Sequence, residues 1–176
     1  MPGKKFVLVH IWAPHPPFIF DKNGNPIQPD RPYFSGDANV FFGTRQEYLD
    51  GYAGEVTYIN TLLEQTIDYI LKGSKTPPII ILQGDHGPGT HSSFVSVTDT
   101  CLEERFSILN AYYFPDRNYS SLSDDISPVN SFRVVLNQYL GADLALLENR
   151  NYYVTWLQPY KFIDVTGQTN EPCEFK

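Results

Sequence analysis

Apolar residues along the chain fall into short unbroken runs and one long periodic stretch. Residues 5–12 (KFVLVHIW) are a short run dominated by β-branched and aromatic side chains, the pattern of a buried strand. Residues 45–72 differ: Tyr52, Val56, Ile59, Leu63, Ile67, Ile70 and Leu71 recur at spacings of three and four, one face of a helix that Gly73 is placed to stop. Pro77-Pro78 opens a second strand-like run, 79–83 (IIILQ), which leads straight into Gly84-Asp85-His86-Gly87-Pro88-Gly89. Residues 106–114 (FSILNAYYF) predict a third strand, ended by Pro115. Ser127-Pro128 predicts a capped helix start with proline at the first helical position. That helix runs to Leu140, with Gly141 as its C-terminal stop. Residues 152–157 and 161–165 predict two short strands near the end. The order strand, helix, strand, strand, helix predicts an α/β fold with a mainly parallel sheet flanked by helices.

Between the first strand and the first helix, residues 13–44 carry Pro14, Pro16, Pro17, Pro26, Pro29 and Pro32 and the turn dipeptide Asn23-Gly24. An ordered loop of this length is usually functional. The rest of the composition narrows the class. A net charge of −7 removes the basic face that a nucleic-acid grip requires. No run approaches the 18 or so apolar residues of a membrane helix. Only Phe6–Val9 are consecutively apolar after the basic start, too short for a signal-peptide core, so the chain itself is expected to be soluble. A strand predicted so soon after Met1 is compatible with a piece from the middle of a longer protein. The two cysteines, Cys101 and Cys173, fit no zinc spacing; they could form one bridge or be unrelated thiols.

In α/β sheets ligands gather at the carboxyl ends of the strands, and two histidine-bearing segments are predicted there. Asp85-His86 offers a carboxylate and an imidazole, both good ligands for zinc or manganese, between glycines that permit a tight turn. The same pair could equally be a solvated turn, and two residues do not complete a metal site. His15 lies between Pro14 and Pro16-Pro17, which hold its backbone stiff, so its ring could present a donor to a phosphate or sulfate oxygen or simply be exposed. His10, near the end of the first strand, reads more simply as a hydrogen-bonded core histidine, and His91 as a flexible-loop residue. Glu103-Glu104-Arg105 reads as a solvated charge cluster or a hydrogen-bonded contact. No G-x-S-x-G elbow, P-loop, dinucleotide fingerprint or H-E-x-x-H is present.

Taken together, HIWAPHPPF, the long helix, QGDHGPG and ERFSILNAYYFP resemble the C-terminal half of the catalytic domain of sulfatase-like hydrolases in the alkaline phosphatase superfamily. The resemblance points to the branch of lipoteichoic acid synthase and phosphoglycerol transferases and spans roughly residues 5–140, with 141–176 as a C-terminal extension of a single partial domain. It implies that Asp85 and His86 ligate a divalent ion, zinc or manganese, with magnesium or calcium as further options. It implies that His15 contacts the sulfate or phosphate group, and that His10 lines the same pocket or a second metal position. The family's Thr, Ser or formylglycine nucleophile and its further acidic ligands come from an N-terminal half that has no counterpart here. Cys101-Leu102-Glu103-Glu104-Arg105 lacks the proline of the sulfatase signature. The expectation is therefore a metal-dependent hydrolase or transferase fragment acting on phosphate or sulfate esters, inactive without its missing half. The resemblance also implies a parent protein on the outer face of a bacterial membrane. The alternative is a non-catalytic module that binds a glycan or a protein through loop 13–44, with Asp85-His86 as a structural turn.

Overall fold

The structure, a computed structural model, describes Gly3 and residues 5–173. The chain divides into two compact units, Met1–Ile67 and Asp68–Lys176, with the boundary inside the long helix.

In the first unit the proline-rich loop folds onto helix α1 (Arg45–Gly73). The helix begins with a capping box: Thr44 N–H donates to Glu47 Oε2 at 2.6 Å and Glu47 N–H donates to Thr44 Oγ1 at 3.1 Å. Its first turns carry the aromatic core of this unit, where Phe18, Phe41 and Tyr48 meet edge-on or tilted with centroids 5.0–5.9 Å apart. Tyr48 is buried and donates to the buried Asp37 carboxylate at 2.7 Å. The loop itself is ordered by an isolated bridge between Phe20 and Pro26 and by Asp21, whose carboxylate accepts from the Asn23 and Asn25 N–H groups at 2.8 Å.

The run 5–12, expected as a buried strand, adopts no strand. Val7, Leu8 and Val9 are 74%, 79% and 71% exposed. A strand needs a neighbouring strand for its ladder, and among the described residues the run enters no strand pairing. The apolar stripe of α1 is likewise only partly covered: Val56, Ile59, Leu63 and Ile67 are half-buried, while Tyr48 and Glu55 are the helix's buried residues.

The second unit is built on strands β1 (Ile80–Gln83) and β2 (Asn110–Tyr113). They pair antiparallel, Ile80 opposite Tyr113 and Gln83 opposite Asn110. Helix α2 (Leu102–Phe106) precedes β2, so the predicted strand 106–114 begins four residues later than its apolar pattern suggests. Helix α3 (Pro128–Leu140) packs Val134 and Val135 against Phe114, with Ile79, Ile81 and Tyr112 around them. Gly141 takes the left-handed conformation at its C-cap, as expected (φ 69°). Ser127 stands at the N-cap, but its side chain makes no cap bond. Two amides seven residues apart on α3 hold the chain that returns along it. Asn130 donates to Leu147 O and accepts from Leu147 N–H, and Asn137 does the same with Leu144.

Strands β3 (Tyr152–Thr155) and β4 (Gln158–Asp164) form an antiparallel hairpin. Among the described residues both sheets are two-stranded and antiparallel, so the chain is α/β but these strands do not form the mainly parallel sheet expected from element order. Cys101 and Cys173 form a disulfide with Cα atoms 5.5 Å apart, settling the open question of their pairing. The bridge spans 72 residues, and closing a loop of that size is worth ~4 kcal/mol in the chain-entropy account. No helix among the described residues is long and apolar enough to cross a membrane.

Candidate functional site

β1 delivers Asp85 and His86 onto a turn that is tied down on both sides. Gly84 N–H donates to Leu109 O at 2.8 Å, continuing the β1–β2 ladder one residue past the strand. Gly87 N–H donates to Arg105 O at 2.8 Å, and the Arg105 guanidinium donates back to Gly87 O at 3.0 Å. The turn is thus clamped to α2 through a reciprocal pair. The glycines differ in what they require. A Cβ on Gly87 would lie 1.9 Å from Glu104 O and 2.8 Å from Ser107 O, whereas one on Gly84 would meet nothing closer than 3.6 Å. Neither has positive φ. Close approach to α2, rather than a left-handed turn, makes glycine necessary at 87.

The clamp orients the imidazole. His86 Nδ1 lies 2.9 Å from Gly87 O; a carbonyl oxygen can only accept, so Nδ1 carries the proton and Nε2 presents its lone pair. Asp85 Oδ1 accepts from the His86 backbone N–H at 3.0 Å, which turns Oδ2 toward the ring, 3.6 Å from Nε2. In the neutral ring two acceptor atoms therefore face each other. Their separation is under twice a zinc–ligand bond of about 2.0–2.1 Å, so both can reach one ion. The Nδ1–H to carbonyl bond is the outer-shell partner that fixes the tautomer of a metal-ligating histidine. The donor set fits a divalent ion as two of its ligands. Among the described residues no group of three or more His, Cys, Asp or Glu side chains is gathered to hold one.

His15 belongs to the first unit. Its backbone N–H donates to Trp12 O at 3.0 Å, its ring meets Trp12 edge-on at 5.7 Å, and Nδ1 donates to Pro16 O at 2.6 Å. Nε2 is again the ring nitrogen left unprotonated in the neutral ring, and it donates only when the ring is cationic. The loop is anchored just beyond His15. Glu55 of α1 is 1% exposed, and its Oε1 accepts from the backbone N–H groups of Ile19 and Phe20, the latter at 3.1 Å. Burial pushes the Glu55 carboxyl up, against the two N–H groups that pull it down. His10, expected in the core, is exposed, because the strand that would have buried it is not formed.

The region 88–106 is more ordered than its polar sequence suggests. His91, expected as a flexible-loop residue, is largely buried and holds Glu104 through its backbone N–H (3.1 Å) and Nδ1 (2.7 Å). Glu104 and Arg105 are thus a hydrogen-bonded contact, one of the two readings of that cluster. The hairpin covers the same loop: Phe94 stacks on Trp156 at 4.5 Å, and Tyr153 OH donates to Ser93 O. What motif reasoning missed is that Arg105 supports the Gly87 turn. Its signal in the sequence was its place in the charged cluster Glu103-Glu104-Arg105 ahead of a strand-like run.

The turn thus sets a carboxylate and an oriented imidazole side by side at the end of an apolar strand, next to a clamped glycine. The sulfatase family model matches residues 2–132, most of the chain, and the protein belongs to the sulfatase family. No curated protein and no solved structure matched the sequence.

Proposed function

We propose that the chain is the part of a metal-dependent sulfatase-family hydrolase or transferase that carries one carboxylate–imidazole ligand pair and one anion-contacting histidine. Its substrates are phosphate or sulfate esters, and its relatives are the lipoteichoic acid synthase and phosphoglycerol transferase branch. The observation that carries this reading is the 3.6 Å gap between Asp85 Oδ2 and His86 Nε2, with Nδ1 already committed to Gly87 O. Two acceptors held face to face are stabilised by a cation between them.

Asp85 and His86 would hold the ion, zinc or manganese by the character of the donors. When bound, it polarises an ester oxygen and lowers the pKa of a nucleophile. Gly87 and Arg105 keep the His86 lone pair aimed. His15, in its cationic form, donates from Nε2 to a non-bridging oxygen of the ester and offsets charge developing there. Glu55 fixes the backbone that follows His15. The nucleophile and the remaining acidic ligands would come from chain outside these residues, whose addition would also pair residues 5–12 within a mainly parallel sheet. The exposed run Val7–Val9 supports this. By itself the chain would then be inactive. The Cys101–Cys173 bridge supports a parent protein working in an oxidising compartment, such as the outer face of a bacterial membrane.

The test is titration with zinc and manganese, followed by calorimetry and by the His86 ring NMR signals, beside turnover of aryl phosphate, diester and sulfate substrates. Expected is one weak site lost in Asp85→Asn and in His86→Ala, with no turnover. Equal ion binding in both variants overturns the ligand assignment. Turnover abolished by His86→Ala but unaffected by every Thr and Ser substitution overturns the missing nucleophile.

A further inference from the structure

Loop 13–44 and the first half of α1 line a half-open cavity of about 720 Å³, lying wholly within the first unit. Its volume is that of a small-ligand site. We propose that this cavity binds a neutral saccharide unit.

Three features of its wall point there. First, flat rings stand at its rim: Tyr33, Phe34 and Phe42 all line it and are 50%, 56% and 68% exposed. Two of these are held in place. Tyr33 OH donates to Ile27 O at 2.6 Å, and the Phe34 ring lies where a side chain on Gly36 would be, 2.3 Å from its Cβ position. Rigid exposed rings offer apolar faces to the C–H surface of a sugar at small entropic cost. Second, the polar groups are arranged to exchange hydrogen bonds with hydroxyls. Among the described residues Asp30 and Lys22 stand in no ion pair, and Asp50 is engaged by Gln46 through Oδ1, leaving Oδ2 to accept. Arg31 and Glu47, paired at 2.7 Å, form a stiff polar corner. Third, four carboxylates (Asp21, Asp30, Glu47 and Asp50) face two cations, Lys22 and Arg31. The surplus negative charge repels a phosphate or sulfate, whereas an uncharged polyhydroxy unit meets no such repulsion. Pro17 and Phe18, two and three residues after His15, form part of the same wall. The inference does not depend on Asp85 or His86 and stands or falls separately from the ester chemistry.

The experiment uses the full chain with gentiobiose, cellobiose and diacetylchitobiose as neutral probes, glucose 6-phosphate as the anionic probe and choline as the cationic one. Binding is followed by saturation-transfer NMR and calorimetry. Expected is saturable binding of at least one neutral sugar with a Kd of about 1–10 mM, weakened about tenfold in Phe42→Ala and Tyr33→Ala. Asp30→Asn should improve binding of glucose 6-phosphate while leaving circular dichroism unchanged, a response that loss of folding does not produce. The proposal is overturned if no neutral sugar saturates, if the ring variants bind as well as the parent, or if glucose 6-phosphate or choline binds better than every neutral sugar.

Discussion

Two apolar runs in this chain each lead to a histidine-bearing turn, and they end in different states. Residues 79–83 become a strand because β2 supplies an antiparallel partner. The turn beyond them is then clamped by Leu109 and Arg105. Residues 5–12, equally rich in β-branched and aromatic side chains, form no strand, and His10 is left exposed. Composition makes a strand possible; a ladder of backbone partners makes it real. The histidine that follows each run shows the same contrast in a milder form. His86 is oriented by a turn joined to a sheet and a helix, whereas His15 is oriented by its own prolines and by one buried glutamate on α1 that grips the backbone beyond it.

The comparison is broken most forcefully at Gly87. Alanine there places a Cβ 1.9 Å from Glu104 O, so the β1–α2 junction must open; a loss of ~3 kcal/mol is expected in urea denaturation, with loss of ion binding. Alanine at Gly84 has room, and its effect should stay within ~1 kcal/mol. Equal destabilisation by the two would mean that the turn is not packed against α2 as described. Hydrogen exchange separates the two runs directly. The amides of Ile80–Leu82 should exchange at least about 100-fold more slowly than those of Val7–Val9. Comparable protection in both would mean that the first run has found a partner.

Arg105→Ala removes the guanidinium from Gly87 O and should cost ~2 kcal/mol, as for a hydrogen bond to a charged group. If Arg105 aims His86, the variant also broadens or shifts the His86 ring signals, which a purely structural loss elsewhere in the unit would leave alone.

The smallest effect, about 1 kcal/mol, is expected at Glu55. Its carboxyl is pushed up by burial, so the folded state holds its proton more tightly than the unfolded state. Stability from this group is therefore full below the unfolded value of about 4.3 and is lost as pH rises through the folded value. Glu55→Gln, which stays neutral, should abolish that loss. Denaturation midpoints of the two proteins should diverge with rising pH, the variant becoming relatively more stable. Divergence on falling pH instead would show that Glu55 works as a charged anchor. The exposed carboxylates of Asp21 and Glu47, held low by hydrogen bonds from Asn25 and Thr44, act in the opposite direction and lose their contribution as pH falls.

Much of this was legible in one dimension. Helix periodicity placed α1 and α3 almost to the residue, because 3.6-residue spacing and end signals such as Gly73, Pro128 and Gly141 are local. Asp85 and His86 stood out because a carboxylate and an imidazole beside glycine after an apolar run are visible without a fold. What the sequence could not determine was pairing. Antiparallel partnership of β1 with β2, the bridge from Cys101 to Cys173 and the grip of Arg105 on Gly87 join residues far apart in the chain. So does Glu55 beneath the loop of His15. Residue type sets what a side chain can do locally, but long-range contacts depend on which surfaces meet, and only the tertiary structure decided that Gly87 has no room and that Val7–Val9 stay exposed.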